Sequence, residues 1–395
     1  MPDPSTPASA TLFLMPHPTQ ADLLRVLSAS EPRLLQRLRQ LVESFSESGS
    51  KRGVEDAGKL VECWLKTTKY KLKKHPNSLY GNVLEFQFGP ARSKRGRVLL
   101  LGHLDTVWPL ETAKTMPWRE SDGKIFGPGI LDMKAGIVMA IEALAALQEV
   151  GIDRPVTLLL VSEEEVGSPI SRPITEQVAS KCSAVFVLEP AQLLAYKTAR
   201  KGIGNYHLRV EGIASHSGVD FEKGHSAILE MAHLIHQIST FTDQKKGVTV
   251  NPGVIQGGTR SNVIAAECSI EVDVRIARAA DAPRLDRLFK SLKTKDKACK
   301  LTVTGGMNRP PMERKPGTVK LFRLAQQLAQ QQGFTLEEAS TGGGSDGNFT
   351  AALNIPTLDG MGAVGAGAHA SHEHIVTKHL LERTALLAGM IAAAE

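Results

Sequence analysis

Cysteine is scarce in this chain of 395 residues, with four copies at Cys63, Cys182, Cys268 and Cys299. They lie far apart and form no CxxC pair, so neither a disulfide framework nor a thiolate zinc site is indicated, and buried free thiols are the expectation. No run approaches the ~18 apolar residues of a membrane span, because Glu142 interrupts the stretch from Ile137 to Leu147. No secretory signal is expected either. The stretch Met1 to Gln20, rich in Pro, Ser and Thr, has one apolar run, Leu12 to Met15, which is too short for that role and has no basic lead-in. It reads as a flexible, cytoplasmic start, residues 1–20.

Aromatic residues make up 5% of the chain, and this bears on its charge. The formal net charge is +6, and two clusters, Lys66 to His75 and Arg92 to Arg97, supply much of it. Such a balance permits contact with a polyanion, but no aromatic stacking pattern or recognition motif accompanies the clusters. They read as solvated surface, and neither nucleic acid nor membrane is expected as a partner.

The chain is too long for one ordinary core, and its 42% hydrophobic and 22% charged residues are ordinary for a globular protein. From Arg97 a buried strand (98–101), a helix (134–148), a strand (156–161), a helix and a strand (184–188) alternate, which argues an α/β fold with both sheet faces covered. Near residue 200 the style changes. Strands with polar alternation at 206–210 and 265–276, helices at 226–240 and 283–292, and a strand at 301–303 suggest a βαββαβ-like unit, a small ferredoxin-like α+β domain inserted into the first. The expected division is a catalytic domain made of two separate stretches, 21–200 and 311–395, with the insert at 201–310 between them and a mixed, largely parallel sheet in the catalytic domain.

Five acidic or histidine-containing segments fall in one order: Gly102-His103-Leu104-Asp105, Leu131-Asp132-Met133-Lys134, Glu163-Glu164-Glu165, Leu188-Glu189-Pro190, and His369 with Glu373. Several follow strands whose carboxyl ends are where open α/β sheets bind ligands. Imidazoles and carboxylates are zinc ligands. His103 and Asp105, two apart, point to one side of an extended chain, so Asp105 is placed to orient the imidazole. Asp132 arrives by a glycine turn at a helix start, where both its oxygens could serve two ions about 3.5–4 Å apart. Among the three glutamates one can bind metal while a neighbour takes a proton from water, and among His369, His372 and His374 spacing alone selects none.

With the segments Gly102 to Val107, Gly127 to Gly136, Glu163 to Ser168, Leu188 to Pro190, Ala214 to Gly218, Ser261 to Ala265 and Thr341 to Asn348, the chain resembles the M20 metallopeptidases from about residue 80 onward. Among them it is most similar to the carboxypeptidase G2 type of glutamate carboxypeptidase. The resemblance implies a zinc-peptidase-like catalytic domain with two Zn²⁺, one on His103 and Glu189 and one on Glu165 and His369, with Asp132 bridging; Co²⁺ or Mn²⁺ could substitute. It also implies Glu164 as general base, His372 and His374 as bystanders, and a cis peptide at Asp132-Met133. The inserted domain would form a homodimer and carry His216 into a neighbouring active site to stabilise the oxyanion. Asn262, Arg275 and Gly343 are the implied substrate contacts, Arg275 for a free carboxylate. Glu163 stands where aspartate is common, and Arg260 where a small residue is usual.

The expected reaction is therefore hydrolysis of an amide in an N-acyl amino acid or small peptide with a free C-terminal carboxylate, releasing glutamate, with Glu164 taking the proton of a water bridging the zinc ions. Arg309, Lys197 and Arg260 are candidates for the second carboxylate of glutamate. An aminoacylase or N-acetyl-amino-acid deacetylase is the alternative enzyme, and a non-catalytic amino-acid-conjugate binder the alternative from another class.

Overall fold

Thr19 starts the first helix by a reciprocal cap: its hydroxyl accepts the Asp22 amide at 3.1 Å and its own amide donates to the Asp22 carboxylate at 3.2 Å. The computed structural model of the chain describes residues 19–66, 68–90 and 93–395. Residues 1–18 of the stretch expected to be loose, and Thr67 and Arg92 of the two basic clusters, lie outside the described residues. The expected loose start does not extend to Gln20, which is helical and 1% exposed because it packs against Gly389 and bonds to Gln332.

Helices α1 (Gln20–Ala29), α2 (Glu31–Glu43) and α3 (Lys51–Leu65) come first, where the sequence carries no motif. Strands β1 (Tyr70–His75), β2 (Val83–Phe88) and β3 (Val98–His103) follow, then short β4 (Arg119–Ser121) and β5 (Lys124–Phe126). Next are α4 (Ala135–Glu149), β6 (Val156–Val161), α5 (Arg172–Ala179), β7 (Ala184–Val187) and β8 (Ala195–Arg200). The middle of the chain is β9 (Gly202–Glu211), α6 (Ala227–Ser239), β10 (Thr249–Gly257), β11 (Glu267–Ile276), α7 (Ala282–Lys290) and β12 (Lys300–Arg309). Helix α8 (Pro316–Gln331), β13 (Glu337–Thr341), α9 (Gly347–Ala352), β14 (Thr357–Leu358), β15 (Gly365–Ala366), β16 (His374–Val376) and α10 (Leu380–Ala393) complete it.

The main sheet has the order β1-β2-β6-β3-β7-β14, with β6, β3, β7 and β14 parallel and the β1 and β2 pairings antiparallel. It is an α/β sheet covered on both faces. Val98, Leu100, Leu158, Leu160 and Phe186 join the helices α1, α2, α4, α8 and α10 in one core, while Leu99, Leu101, Leu159, Val161, Val185 and Val187 pack with Val178 and Ala179 of α5 in another. Full burial of such side chains contributes about 1.5–3 kcal/mol each, which explains runs without polar alternation. The parallel strands β3, β6 and β7, each of which precedes an acidic segment, end on one edge of this sheet.

The second sheet, β10-β11-β9-β12, is antiparallel throughout. Its residues Tyr206, Leu208 and Val210 bury against Met231 and Leu234 of α6 and Leu285 and Phe289 of α7, forming a separate apolar cluster. The element order is βαββαβ, but β10 is not among the strands expected from the sequence. Pro252 and two glycines break its pattern, and it is tolerated as an edge strand with a bulge between Pro252 and Val254.

Candidate metal centre and active site

His103 ends β3 at 2% exposure, and its Nδ1–H donates to the backbone oxygen of Asp105 at 2.8 Å. That bond leaves Nε2 as the ring atom that faces the acidic cluster. The role expected for the Asp105 carboxylate differs from the one observed. Its Oδ1 is 3.5 Å from Nδ1, and the carboxylate instead accepts the amides of Glu164 at 3.0 Å and Glu165 at 3.2 Å and the Ser48 hydroxyl at 2.7 Å. Asp105 thus orients the imidazole mainly through its backbone and fixes the glutamate turn with its side chain.

Asp132 lies between two imidazoles. Its Oδ1 is 3.2 Å from His103 Nε2 and its Oδ2 is 3.4 Å from His369 Nε2. Glu189 Oε1 lies 3.7 Å from His103 Nε2, and Glu165 Oε2 lies 3.1 Å from His369 Nε2. Two donor groups therefore share one aspartate. The Asp132-Met133 peptide is cis, as the resemblance implies, and Met133 Sδ lies 3.1 Å from the His103 amide. Helix α4 comes close to the end of β7 because Gly136 has no Cβ, which would otherwise stand 2.0 Å from the Leu188 oxygen. His369 reaches the cluster from a left-handed backbone conformation, φ 62°, uncommon for a residue other than glycine. His374 turns away, its ring 5.1 Å from that of Phe126 and its Nδ1 bonded to the His372 oxygen.

The charges around this centre are unbalanced. Burial pushes Glu189 up to about 7, aided by the Asp132 charge and opposed by Arg200 and His103. Burial likewise raises Glu165, against its bond to His369, and raises Glu164 well above the usual range despite Arg309. Burial opposes the charged form of Asp132 too, yet hydrogen bonds and charge from both imidazoles outweigh it and move this group down. Bonds to Asp132 and Glu165 raise His369 to about 10. Burial works against a charged His103, but bonds to Asp105 and Asp132 carry it well above its usual value. Carboxylates gathered around two imidazoles call for a compensating positive charge, and a metal bound by neutral imidazole and carboxylate would supply it. Glu165 Oε1 is buried with no partner, and ligand-type atoms of His103, Asp132 and Glu165, and of His103, Glu164 and Glu189, lie within 4.8 Å of one another. The residues fit a dinuclear metal group.

The remaining candidates divide. Arg309 Nη2 donates to Glu164 Oε1 at 2.9 Å and Nη1 to Asp346 Oδ1 at 2.6 Å, so it serves the site and is not a spare cation for substrate. Lys197 is 8% exposed, its pKa lowered by burial and Arg200 against Asp359, Glu189 and Asp132. Arg275 donates to Asp273 and, at 3.3 Å, to the Gly342 oxygen, while Arg200 reaches the Gly343 oxygen at 3.3 Å. Those bonds bring Arg275 and Gly343 to one glycine-rich loop. His216 and Asn262 are exposed and close to each other, with Ser217 N–H bonded to the Asn262 oxygen at 3.1 Å, and among the described residues neither has a hydrogen bond or ion pair to His103, Asp132, Glu165, Glu189 or His369. Arg260 is exposed. Glu163 is fully buried and accepts the amides of Ile170 and Ser171.

Sequence reasoning misses Arg200, Asp359, Asp346 and the structural role of Glu373, which holds the Asp132 turn. In the sequence Glu373 serves only as a spacing mark, and a carboxylate four residues after a ligand histidine is the available signal.

The sequence profile of peptidase family M20/M25/M40 matches residues 99–393. Carboxypeptidase G2 of Pseudomonas sp. (strain RS-16) is 27% identical over 382 residues, 93% of this chain and 91% of that protein. Acetylornithine deacetylase of Proteus mirabilis (strain HI4320) is 27% identical over 277 residues, 65% of this chain and 70% of that one. In fold, the chain is similar to the crystal structure of aminopeptidase PepT from Bacillus cereus ATCC 10987, with a TM-score of 0.79 and 21% identity over 92% of this chain and 98% of the other. Among the described residues no helix is long and apolar enough to cross a membrane.

Proposed function

The chain belongs to peptidase family M20/M25/M40 and is a hydrolytic metalloenzyme, and from that premise we propose that it cleaves the amide bond of N-acyl amino acids or small peptides with a free C-terminal carboxylate, releasing glutamate. The observation that carries this reading is the divided carboxylate of Asp132, one oxygen toward His103 and one toward His369. In the proposal His103, Asp132 and Glu189 hold one Zn²⁺ and Asp132, Glu165 and His369 a second, with Co²⁺ or Mn²⁺ as possible substitutes. Such ions, when bound, polarise a carbonyl oxygen and lower the pKa of water toward neutrality.

The chain's own residues have these parts. Glu164 takes a proton from the attacking water and returns it to the leaving nitrogen. Its Oε1 is held by Arg309, leaving Oε2 for the proton, and Asp105 fixes the turn that carries it. Arg275, Asn262 and Gly343 hold the free carboxylate and adjacent polar groups, and Lys197, a buried cation within the field of Glu189 and Asp132, is the candidate for a second carboxylate. His216 acts in the site of a second copy, in a homodimer formed by the insert at 201–310. Its exposure is consistent with that role. A catalytic domain built from 21–200 and 311–395 and a cytoplasmic location complete the proposal.

The similarity to acetylornithine deacetylase supports a second reading, removal of a small acyl group from an amino acid by the same centre. Metal content measured together with hydrolysis of benzoyl- or pteroyl-type glutamates and acetyl amino acids, before and after chelation, tests both. Chelator-sensitive glutamate release with two zinc ions per chain supports the first, and preference for acetyl amino acids the second. A chain without metal or turnover refutes both.

A further inference from the structure

Strand β8 ends in Arg200, which is 4% exposed and uses its whole guanidinium edge. Nε donates to Asp359 Oδ2 at 2.9 Å and Nη2 to Asp359 Oδ1 at 2.5 Å, while Nη1 donates to the Gly344 oxygen at 2.9 Å and the Gly343 oxygen at 3.3 Å. Nη2 also stands 3.5 Å from Glu189 Oε2, the carboxylate oxygen opposite the one that faces His103. Asp359 is fully buried and accepts the Ser345 hydroxyl at 2.6 Å, so the aspartate is itself tied to the end of the glycine-rich segment.

We infer that Arg200 is a positioning residue that turns Glu189 toward the His103 side of the metal centre and fixes the Gly342–Gly344 loop relative to it. One guanidinium then sets both metal retention and substrate placement. This rests on the metallohydrolase reading of the site and adds to it a residue that touches neither metal nor substrate.

Geometry distinguishes this role from a simple buried ion pair. A pair with Asp359 needs two bonds, yet the remaining amino group is spent on successive carbonyls of a loop that Arg275 reaches from the other sheet through Gly342. Two guanidiniums therefore clamp three consecutive carbonyls, one from the side of Glu189 and one from the side of the candidate carboxylate contact. A planar fork can make these bonds at once, whereas the single ammonium of lysine cannot span them. The cation also lies 3.5 Å from the second oxygen of Glu189, while the first faces the His103 side.

The test is equilibrium dialysis of the full-length protein and its Arg200→Lys and Asp359→Asn variants against buffered zinc, with steady-state kinetics at saturating zinc. In the variants one zinc-binding step weakens about 10–100-fold while the other is unchanged, and KM rises more than kcat falls. Unaltered zinc binding, equal weakening of both steps with an unchanged KM, or failure of both variants to fold would place Arg200 in the scaffold and overturn the inference. A wild-type chain that takes up no zinc removes the metallohydrolase reading as well. A wild type that binds two ions, matched by its variants, removes this inference alone.

Discussion

The carboxylate of Glu373 accepts the backbone N–H of Asp132 at 3.1 Å across a sequence separation of 241 residues. The same oxygen takes the Leu131 amide at 2.9 Å, and the other takes the Gly129 amide at 2.9 Å and the Trp108 indole N–H at 2.7 Å. Glu373 is fully buried, and burial raises its pKa against the pull of these four donors. Its negative charge is thus spent on holding the turn that presents Asp132 to both histidines. The loop bearing His369 and the loop bearing Asp132 are locked together by one side chain.

Glu373→Gln is expected to weaken metal binding about 10–100-fold, the usual effect of removing a group that orients a ligand. The amide places an NH₂ group against N–H donors, so two of the four donors lose their acceptor whichever oxygen position it takes. Competition with a chromophoric chelator measures the affinity. Wild-type affinity in the variant would show that the turn holds its shape without this carboxylate.

Glu164→Gln should keep the metal content of the wild type and lose turnover by about 10²–10⁴-fold, the contribution of a positioned general base. Its Oε1 can still accept from Arg309, so the turn after β6 is retained. Metal analysis and initial rates on the same preparation separate the two effects. Near-normal rates would remove Glu164 from the proton-transfer role.

The parallel core of the fold and the strand-end candidates His103 and Glu189 are readable in the sequence because each signal is local, whereas Glu165 among three glutamates and His369 among three histidines are singled out by the family resemblance. An uninterrupted apolar strand followed by an acid or histidine, as in Leu99-Leu100-Leu101-Gly102-His103, marks a buried strand and a polar end within six residues. Arg200 and Asp359 carry no such mark, since their pairing spans 159 residues and depends on how β8 and β14 are placed. Strand β10 escapes for the opposite reason: Pro252 and Gly253 carry a local signal against a strand, and the edge of the sheet overrides it. Asp105 shows a third limit. The two-residue spacing correctly brings it to His103, but only the fold shows that its carboxylate points to the glutamate turn.

Cysteine labelling at pH 8 should modify Cys63 and spare the other three thiols. Against the expectation of buried thiols throughout, Cys63 is exposed and Cys182 half-buried; Cys268 and Cys299 are buried, and burial pushes the Cys182 thiol up to about 12. A raised thiol pKa means that the reactive thiolate is scarce below it, so at pH 8 Cys182 is almost wholly the unreactive thiol in the folded chain. Unfolding returns the group to its ordinary range. Mass spectrometry after iodoacetamide treatment should therefore find one adduct in the native protein and four in denaturant, and rapid native labelling of Cys182 would contradict the burial.

Glu142 interrupts the apolar surface of α4 and is fully buried, yet it is bound by both Arg33 and Arg37 of α2. The two guanidiniums make the helix pair specific, and removing the glutamate leaves Arg37, with its side chain 15% exposed, over the Trp64 ring and near the Trp64 backbone oxygen but without its ion-pair partner. Losing one partner of a buried ion pair costs about 3–5 kcal/mol, and the lower end applies here because the Arg33 side chain is 47% exposed and can turn to water. Glu142→Ala should lower stability by about 3 kcal/mol in urea unfolding of the metal-free protein. Combining Glu142→Leu with Arg37→Met replaces the charges by apolar groups of similar length and should recover most of that loss. If the double variant is as unstable as the single one, the cost lies in the cavity or in Arg33 rather than in the uncompensated charge of Arg37.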